Sequence, residues 1–270
     1  MGKQLSIGID CAASSQDSVV HAINSAVRSG ISFSVGSLNS LTTEGVSAVF
    51  QAAQGSTFTA SLDGITTSGN KLQEVISAAN GSAASLSLSN SSYVPISDLL
   101  NAFSLIGGRT LDMSFDATLI TAQNLKDLVS SAPASVGIGI DAAQGIVVSS
   151  LVEIIQASGA KRLAVNLGAD QATNDQMQSS VASGGTTTSI SIGSAHIPQL
   201  SVMLGMIASS AHTNLSPIYN GSQLIVTPTD GNWVVRALEV AQPSTQIIVN
   251  SVGVTNFTLS IVLDILNAAG

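Results

Sequence analysis

The chain has 270 residues, of which 44% are apolar and only 9% charged, and its net charge is −8 with eight Lys and Arg together. That apolar share supplies a sizeable core and excludes a disordered chain. So few basic groups exclude a phosphate-neutralising surface, and with it nucleic acid or a polybasic membrane contact as partners. Cys11 is the only cysteine, which rules out an intramolecular disulfide and a zinc cluster of paired cysteines. No apolar run is long enough to span a bilayer, so no membrane insertion is expected.

From the N-terminus onward one motif returns about every 26 residues: alternating apolar residues, a small turn-former, then an amphipathic stretch ending near Gly or Pro. The last apolar residue of each strand falls at Ile9, Val35, Leu62, Leu88, Phe115, Ile140, Leu167, Ile192 and Tyr219, with a looser tenth copy at Val249. A fixed period of this length marks a stacked-repeat architecture. Phe58, Ala60 and Leu62 alternate with Thr59 and Ser61, the period of a half-buried strand. Asp63-Gly64 stops that strand with turn chemistry. Leu72, Val75, Ile76 and Ala79 then form one apolar stripe on a helix, which Asn80-Gly81 ends in the left-handed region.

Further stripes follow in order: Val46, Val49 and Phe50; Ile96, Leu99, Leu100 and Phe103; Leu125, Leu128 and Val129; Leu151, Ile154 and Ile155. The unit around Met177 and Val181 has the weakest stripe, and a single turn of helix is expected there. Later stripes fall at Leu200, Met203, Leu204 and Ile207, at Val234, Val235 and Leu238, and at Leu259, Val262, Leu263 and Leu266, and residues 215–243 form the most irregular unit. Strands joined by helical crossovers pair in parallel. No linker interrupts the repeat, so the expectation is one repeat domain over residues 1–270. Its fold would be an open right-handed β/α solenoid of about ten repeats, with one parallel sheet and a layer of short helices.

Stretches such as Leu111-Asp112-Met113-Ser114-Phe115-Asp116 and Leu163-Ala164-Val165-Asn166-Leu167 resemble the longer strand-plus-helix variety of leucine-rich repeats, and the likeness covers nearly the whole chain. The family's Asn after the strand is matched by Asn220 and Asn250, whereas Asp10, Asp63, Asp116 and Asp141 hold that place elsewhere. Gly36, Ser89, Gly168 and Gly193 fill the other copies.

Residues between the apolar ones are expected on the exposed strand face: Ser6, Gly8, Ser32, Ser34, Thr59, Ser61, Ser85, Ser87, Asp112, Ser114, Gly137, Gly139, Ala164, Asn166, Ser189 and Ser191. Only Asp112 is charged, and none is an aromatic or Arg anchor of the kind that dominates recognition surfaces. Two expectations stand for this face: a plain solvated polar surface, or, because small side chains permit close approach of a second sheet, a contact between copies. At the ends, Met1–Gln4 and residues 261–270 offer no charged cap, which points to a longer natural chain or to stacked ends.

The post-strand carboxylates line one edge, and Asp116 and Asp141 come from adjacent units. Calcium takes six to eight oxygen ligands, so these two are the calcium candidates, against the alternative that such side chains close their own turns. His21, His196 and His212 lie in different repeats without an i, i+4 partner. The lone Trp233 is expected in core packing or at an edge. No phosphate loop, dinucleotide fingerprint, nucleophile elbow or zinc-protease motif is present, and no cofactor is expected.

The leading expectation is a non-enzymatic, self-assembling structural or interaction solenoid, part of an extracellular bacterial surface layer, adhesin or fibre. Its partner would be a second copy or another protein. The scarcity of Lys beside abundant Ser, Thr, Gly and Asn places it outside the cell or on its surface, without a cleavable signal peptide in this chain. The alternative is a leucine-rich-repeat recognition module such as a secreted effector. A third reading is a β/α-barrel enzyme, because barrel enzymes carry their catalytic groups at strand carboxyl ends, where these Asp residues fall.

Overall fold

The computed structural model describes residues 5–168, 171–194, 206 and 214–219. Strands and helices alternate: β1 (Ser6–Asp10), α1 (Gln16–Arg28), β2 (Ser32–Gly36), α2 (Thr43–Ala52), β3 (Thr57–Asp63), α3 (Gly69–Ala78), β4 (Ala83–Ser89), α4 (Ile96–Ile106) and β5 (Leu111–Asp116). The order continues with α5 (Ala122–Ser131), β6 (Val136–Asp141), α6 (Val148–Ser158), β7 (Arg162–Gly168), α7 (Asn174–Ser183), β8 (Thr188–Ser194) and β9 (Asn214–Tyr219). The chain is therefore α/β, with parallel strands that neighbour each other in sequence order.

Two compact units divide it, one of Met1–Ile120 with Asp127–Gly139 and one of Thr121–Lys126 with Ile140–Gly270. In the first, β1 to β5 pair successively and in parallel, with Gly8 opposite Ser34, Ser34 opposite Thr59 and Ser61 opposite Ser87. In the second, β7, β8 and β9 pair the same way, with Val165 opposite Ile190 and Ile190 opposite Leu215.

The helices form where the apolar spacing requires them. Val46, Val49 and Phe50 on α2 and Leu72, Val75 and Ile76 on α3 are buried against Phe33, Val35, Phe58, Ala60 and Leu62 of the strands. Phe58 packs between Phe33 and Phe50, its ring centroid 5.2 Å and 5.7 Å from theirs. On α4 the buried stripe is Leu99, Ala102, Phe103 and Ile106. It is turned relative to the expected one, because Ile96 is the first helical residue and sits at the rim. The unit around Met177 forms a full ten-residue helix. There Thr173 and Gln176 make a reciprocal capping box that the weak stripe did not signal.

The turns after the strands alternate between two forms. After β1, β3, β5 and β7 comes a Ser or Thr five residues beyond the strand end (Ser15, Ser68, Thr121 and Thr173), and its hydroxyl accepts the amide of the third helical residue. After β2, β4 and β6 comes a left-handed residue, Ser37, Asn90 or Ala142 at φ 57°, 51° and 54°, followed by one turn of 3₁₀ helix. Like turns recur two units apart, a period of about 53 residues. Alanine has no side-chain group to stabilise a left-handed backbone, a conformation that costs about 1–2 kcal/mol. Ala142→Gly is therefore expected to raise the unfolding free energy by about 0.5–1 kcal/mol after the glycine entropy loss. A lowered urea midpoint would show that the Ala142 methyl contributes packing instead.

From β2 to β5 the apolar positions are buried and most alternate ones are not, with Ser32, Ser34 and Thr59 exposed and Ser61, Ser85 and Ser87 half-buried, whereas on the first strand Ile9 is buried and Ile7 exposed. Gly137 departs from the expected face and is buried, since glycine has no side chain to reach past the strand backbone. The expected helical stripes from Leu200 to Ile207 (Met206 apart, which is buried), the units beyond Tyr219, Trp233 and both chain ends lie outside the described residues.

Candidate functional site

The carboxyl ends of the strands hold the carboxylates that the sequence singles out. Asp10 Oδ1 accepts the Ala12 amide at 3.0 Å, Asp63 Oδ1 the Ile65 amide at 3.1 Å, and Asp116 Oδ1 the Thr118 amide at 2.9 Å and hydroxyl at 2.7 Å. Each closes its own turn. Asp141 differs: its Oδ1 accepts Nδ2 of Asn166 one strand on. The expected calcium pair thus resolves into two separately bonded carboxylates, and among the described residues no three His, Cys, Asp or Glu side chains converge. His21 is an exposed residue of α1, and His196 and His212 lie outside the described residues.

Hydrogen bonding favours the ionised carboxylates. The Ala12 amide and the Ser37 hydroxyl hold Asp10 below its usual range, and the Thr118 hydroxyl and amide do the same for Asp116. A carboxyl whose folded-state pKa is depressed stabilises the fold above its unfolded value and loses that contribution as pH falls through the folded one. Below pH 3.8 the stability is therefore expected to fall, and Asp116→Asn to flatten part of that decline in urea midpoints measured against pH. An acid limb unchanged by the substitution would contradict this. Cys11, beside Asp10, is buried, and desolvation with the charge of Asp10 pushes its thiol up to about 11, leaving it unreactive at neutral pH.

The turns interlock across strands. Asn90 donates Nδ2 to Asp63 Oδ1 at 2.9 Å, and Asn39 donates Nδ2 to Thr66 Oγ1 at 2.8 Å. Asn39 Oδ1 is buried and meets no hydrogen-bond partner. Ser92 Oγ accepts the Asp116 amide at 2.9 Å, and in the other unit Gln144 Oε1 accepts the Gly168 amide at 3.0 Å. Lys71, the third residue of α3, donates to the Leu41 carbonyl at 2.7 Å and to Glu74 at 2.8 Å, so its charge is already engaged. From the same turns two large apolar side chains project into solvent, Ile65 at 57% and Tyr93 at 55% exposure. Sequence reasoning missed Asn39, Asn90 and Tyr93; the 53-residue recurrence of the left-handed turns is the signal that leads to them.

No protein-family model matches the chain, and no curated protein matches it. Solved structures do match. The aldolase QR15 is 13% identical, with 69% of this chain and 89% of that one covered, at a TM-score of 0.35. A truncated 3-deoxy-D-arabino-heptulosonate 7-phosphate synthase from Thermotoga maritima is 12% identical over 85% and 79%, at 0.33. A mandelate racemase/muconate lactonizing enzyme from Jannaschia sp. CCS1 is 11% identical over 92% and 55%, at 0.31. No residue role passes from these enzymes to this chain.

The expected leucine-rich-repeat resemblance is corrected by this comparison, since the structures named here are an aldolase and a heptulosonate 7-phosphate synthase and not leucine-rich-repeat proteins. The family's Asn position gives a physical reason: here Asp10, Asp63 and Asp116 bond within their own turns. The expectation of a non-enzymatic, self-assembling surface-layer, adhesin or fibre solenoid is corrected with it, as is that of a recognition module of the same family. Among the described residues no helix is long and apolar enough to cross a membrane.

Proposed function

We propose that the chain is a β/α enzyme that binds a hydroxylated ring compound, neutral or aminated, against the carboxyl ends of β3 and β4. The observation that carries this reading is the constellation on two neighbouring turns: the hydrogen-bonded Asp63–Asn90 pair, with exposed Ile65 and Tyr93 on the same two turns. In parallel α/β sheets this edge is where ligands lie. A non-glycine residue held left-handed, as Asn90 is, marks a place where surroundings overrule local preference.

Each group has a role in the proposal. Asp63 accepts hydroxyl protons from the ligand and serves as its proton acceptor. Asn90, oriented by its bond to Asp63, keeps its carbonyl oxygen for a second hydroxyl. Tyr93 offers a ring face for the apolar side of the ligand. A phosphorylated ligand is disfavoured, because the charge nearest these turns is the Asp63 carboxylate and Lys71 is engaged by Glu74.

The finer architecture belongs to the same proposal: an open right-handed run of about ten strand–helix repeats. A closed barrel covers both faces of its strands, whereas Ser32, Ser34 and Thr59 are exposed here. An extracellular location is part of it too, on composition.

Thermal shift and NMR titration with neutral, aminated and phosphorylated sugars test the site. Neutral or aminated sugars are expected to bind, and Asp63→Asn and Tyr93→Ala each to weaken binding about tenfold. Preference for the phosphorylated sugar, or equal binding by both variants, would overturn the proposal.

A further inference from the structure

A cavity lies at the opposite edge, where α2 and α3 end before the next strands begin. It is a half-open cavity of about 250 Å³, lined by Ser47, Phe50, Gln51 and Gln54 from α2 and the turn after it and by Asn80 and Ser82 from the turn after α3. The carboxyl-edge reading makes no use of it.

Its chemistry is unlike that of the carboxyl edge. Three carboxamides and two hydroxyls line it, and no charged side chain does. Each carboxamide both donates and accepts. Two of the polar groups are already oriented. Arg109 donates Nη1 to Asn80 Oδ1 at 3.1 Å and Nη2 to the Leu105 carbonyl at 2.9 Å. This fixes the Asn80 carboxamide by its oxygen and leaves its amino group to donate. Ser82 Oγ donates to the Ala79 carbonyl at 2.7 Å and accepts the Ala84 amide at 3.3 Å, which leaves one lone pair to accept. The helix ends carry partial negative charge, so an anion gains nothing here, and the guanidinium that could attract one is turned onto Asn80 and Leu105.

We infer that this cavity is a second binding site, for a single uncharged sugar ring. The ring's hydroxyls meet Gln51, Gln54, Asn80 and Ser82, and its C–H face meets Phe50. Arg109 acts as a positioning residue by holding Asn80. A cavity of this size falls below the roughly 300–1,000 Å³ of drug-sized pockets, which suits one ring rather than an oligosaccharide.

The test is a ¹⁵N NMR titration of the full chain with glucose, N-acetylglucosamine, glucosamine and glucose 6-phosphate. The expected result is that the two neutral sugars shift the side-chain amide signals of Gln51, Gln54 and Asn80, with the two charged sugars weaker. Gln51→Ala and Asn80→Ala, both at exposed positions, should keep the fold by circular dichroism and weaken binding about tenfold each. Unshifted carboxamide signals, charged sugars binding as tightly as neutral ones, or unchanged affinity in both variants would each overturn it. Shifts confined to Asp63, Asn90 and Tyr93 would overturn it while leaving the carboxyl-edge site standing.

Discussion

Gly64→Ala is expected to lower the unfolding free energy by about 3 kcal/mol, at the upper end of the cost of overpacking. The Gly64 amide donates to the Ser89 carbonyl at 2.8 Å, which brings the turn after β3 against the turn after β4. A methyl group there would press on the Asn90 carbonyl, with Ser89 O at 3.0 Å. Backbone atoms cannot rotate away as a flexible side chain can. Asn90 is also pinned by its left-handed conformation and by its bond to Asp63. Urea unfolding of the variant measures the loss, and a change below about 1 kcal/mol would mean that the two turns separate freely. Because this contact supports the Asp63–Asn90 pair, the same variant should lose sugar binding at the carboxyl edge.

Phe115→Ala should cost about 4 kcal/mol, within the usual range for a buried Phe. Phe115 is fully buried at the end of β5, among the largest fully buried side chains, beside buried Met113 and Leu88. Phe115→Leu fills most of the space and should recover more than half of the loss. Equal losses in the two variants would show that ring shape, not volume, matters at this position.

The strand–helix alternation was legible because burial imposes period two on strands and 3.6 on helices, and both periods survive in the residues. Phe58, Ala60 and Leu62, then Leu72, Val75 and Ile76, are buried as their spacing requires. The left-handed stop at Gly81 was legible for the same kind of reason, since its φ is +82°. Less was legible where a side chain's partner lies a whole unit away. The Asn90–Asp63 bond spans 27 residues and Gln144 reaches Gly168 across 24, and no local pattern announces either. Of the Asp residues read as an edge ladder, Asp10, Asp63 and Asp116 turn to the amides two residues on in their own turns, whereas Asp141 is held by Asn166 of the next strand. The family likeness rested on apolar spacing, which many parallel β/α chains share. Tyr93 went unnoticed because a single exposed aromatic has no periodicity.

The alternation of two turn forms makes the number of units a matter of parity. Excising residues 37–89, two units and 53 residues long, would join Gly36 to Asn90 and keep each turn beside one of the other kind. Excising residues 37–62 would join Gly36 to Asp63 and set two turns of the same form in succession, with no left-handed turn between them. Shortening the chain by two units is therefore expected to be tolerated better than shortening it by one, which makes the pair rather than the single repeat the structural building block.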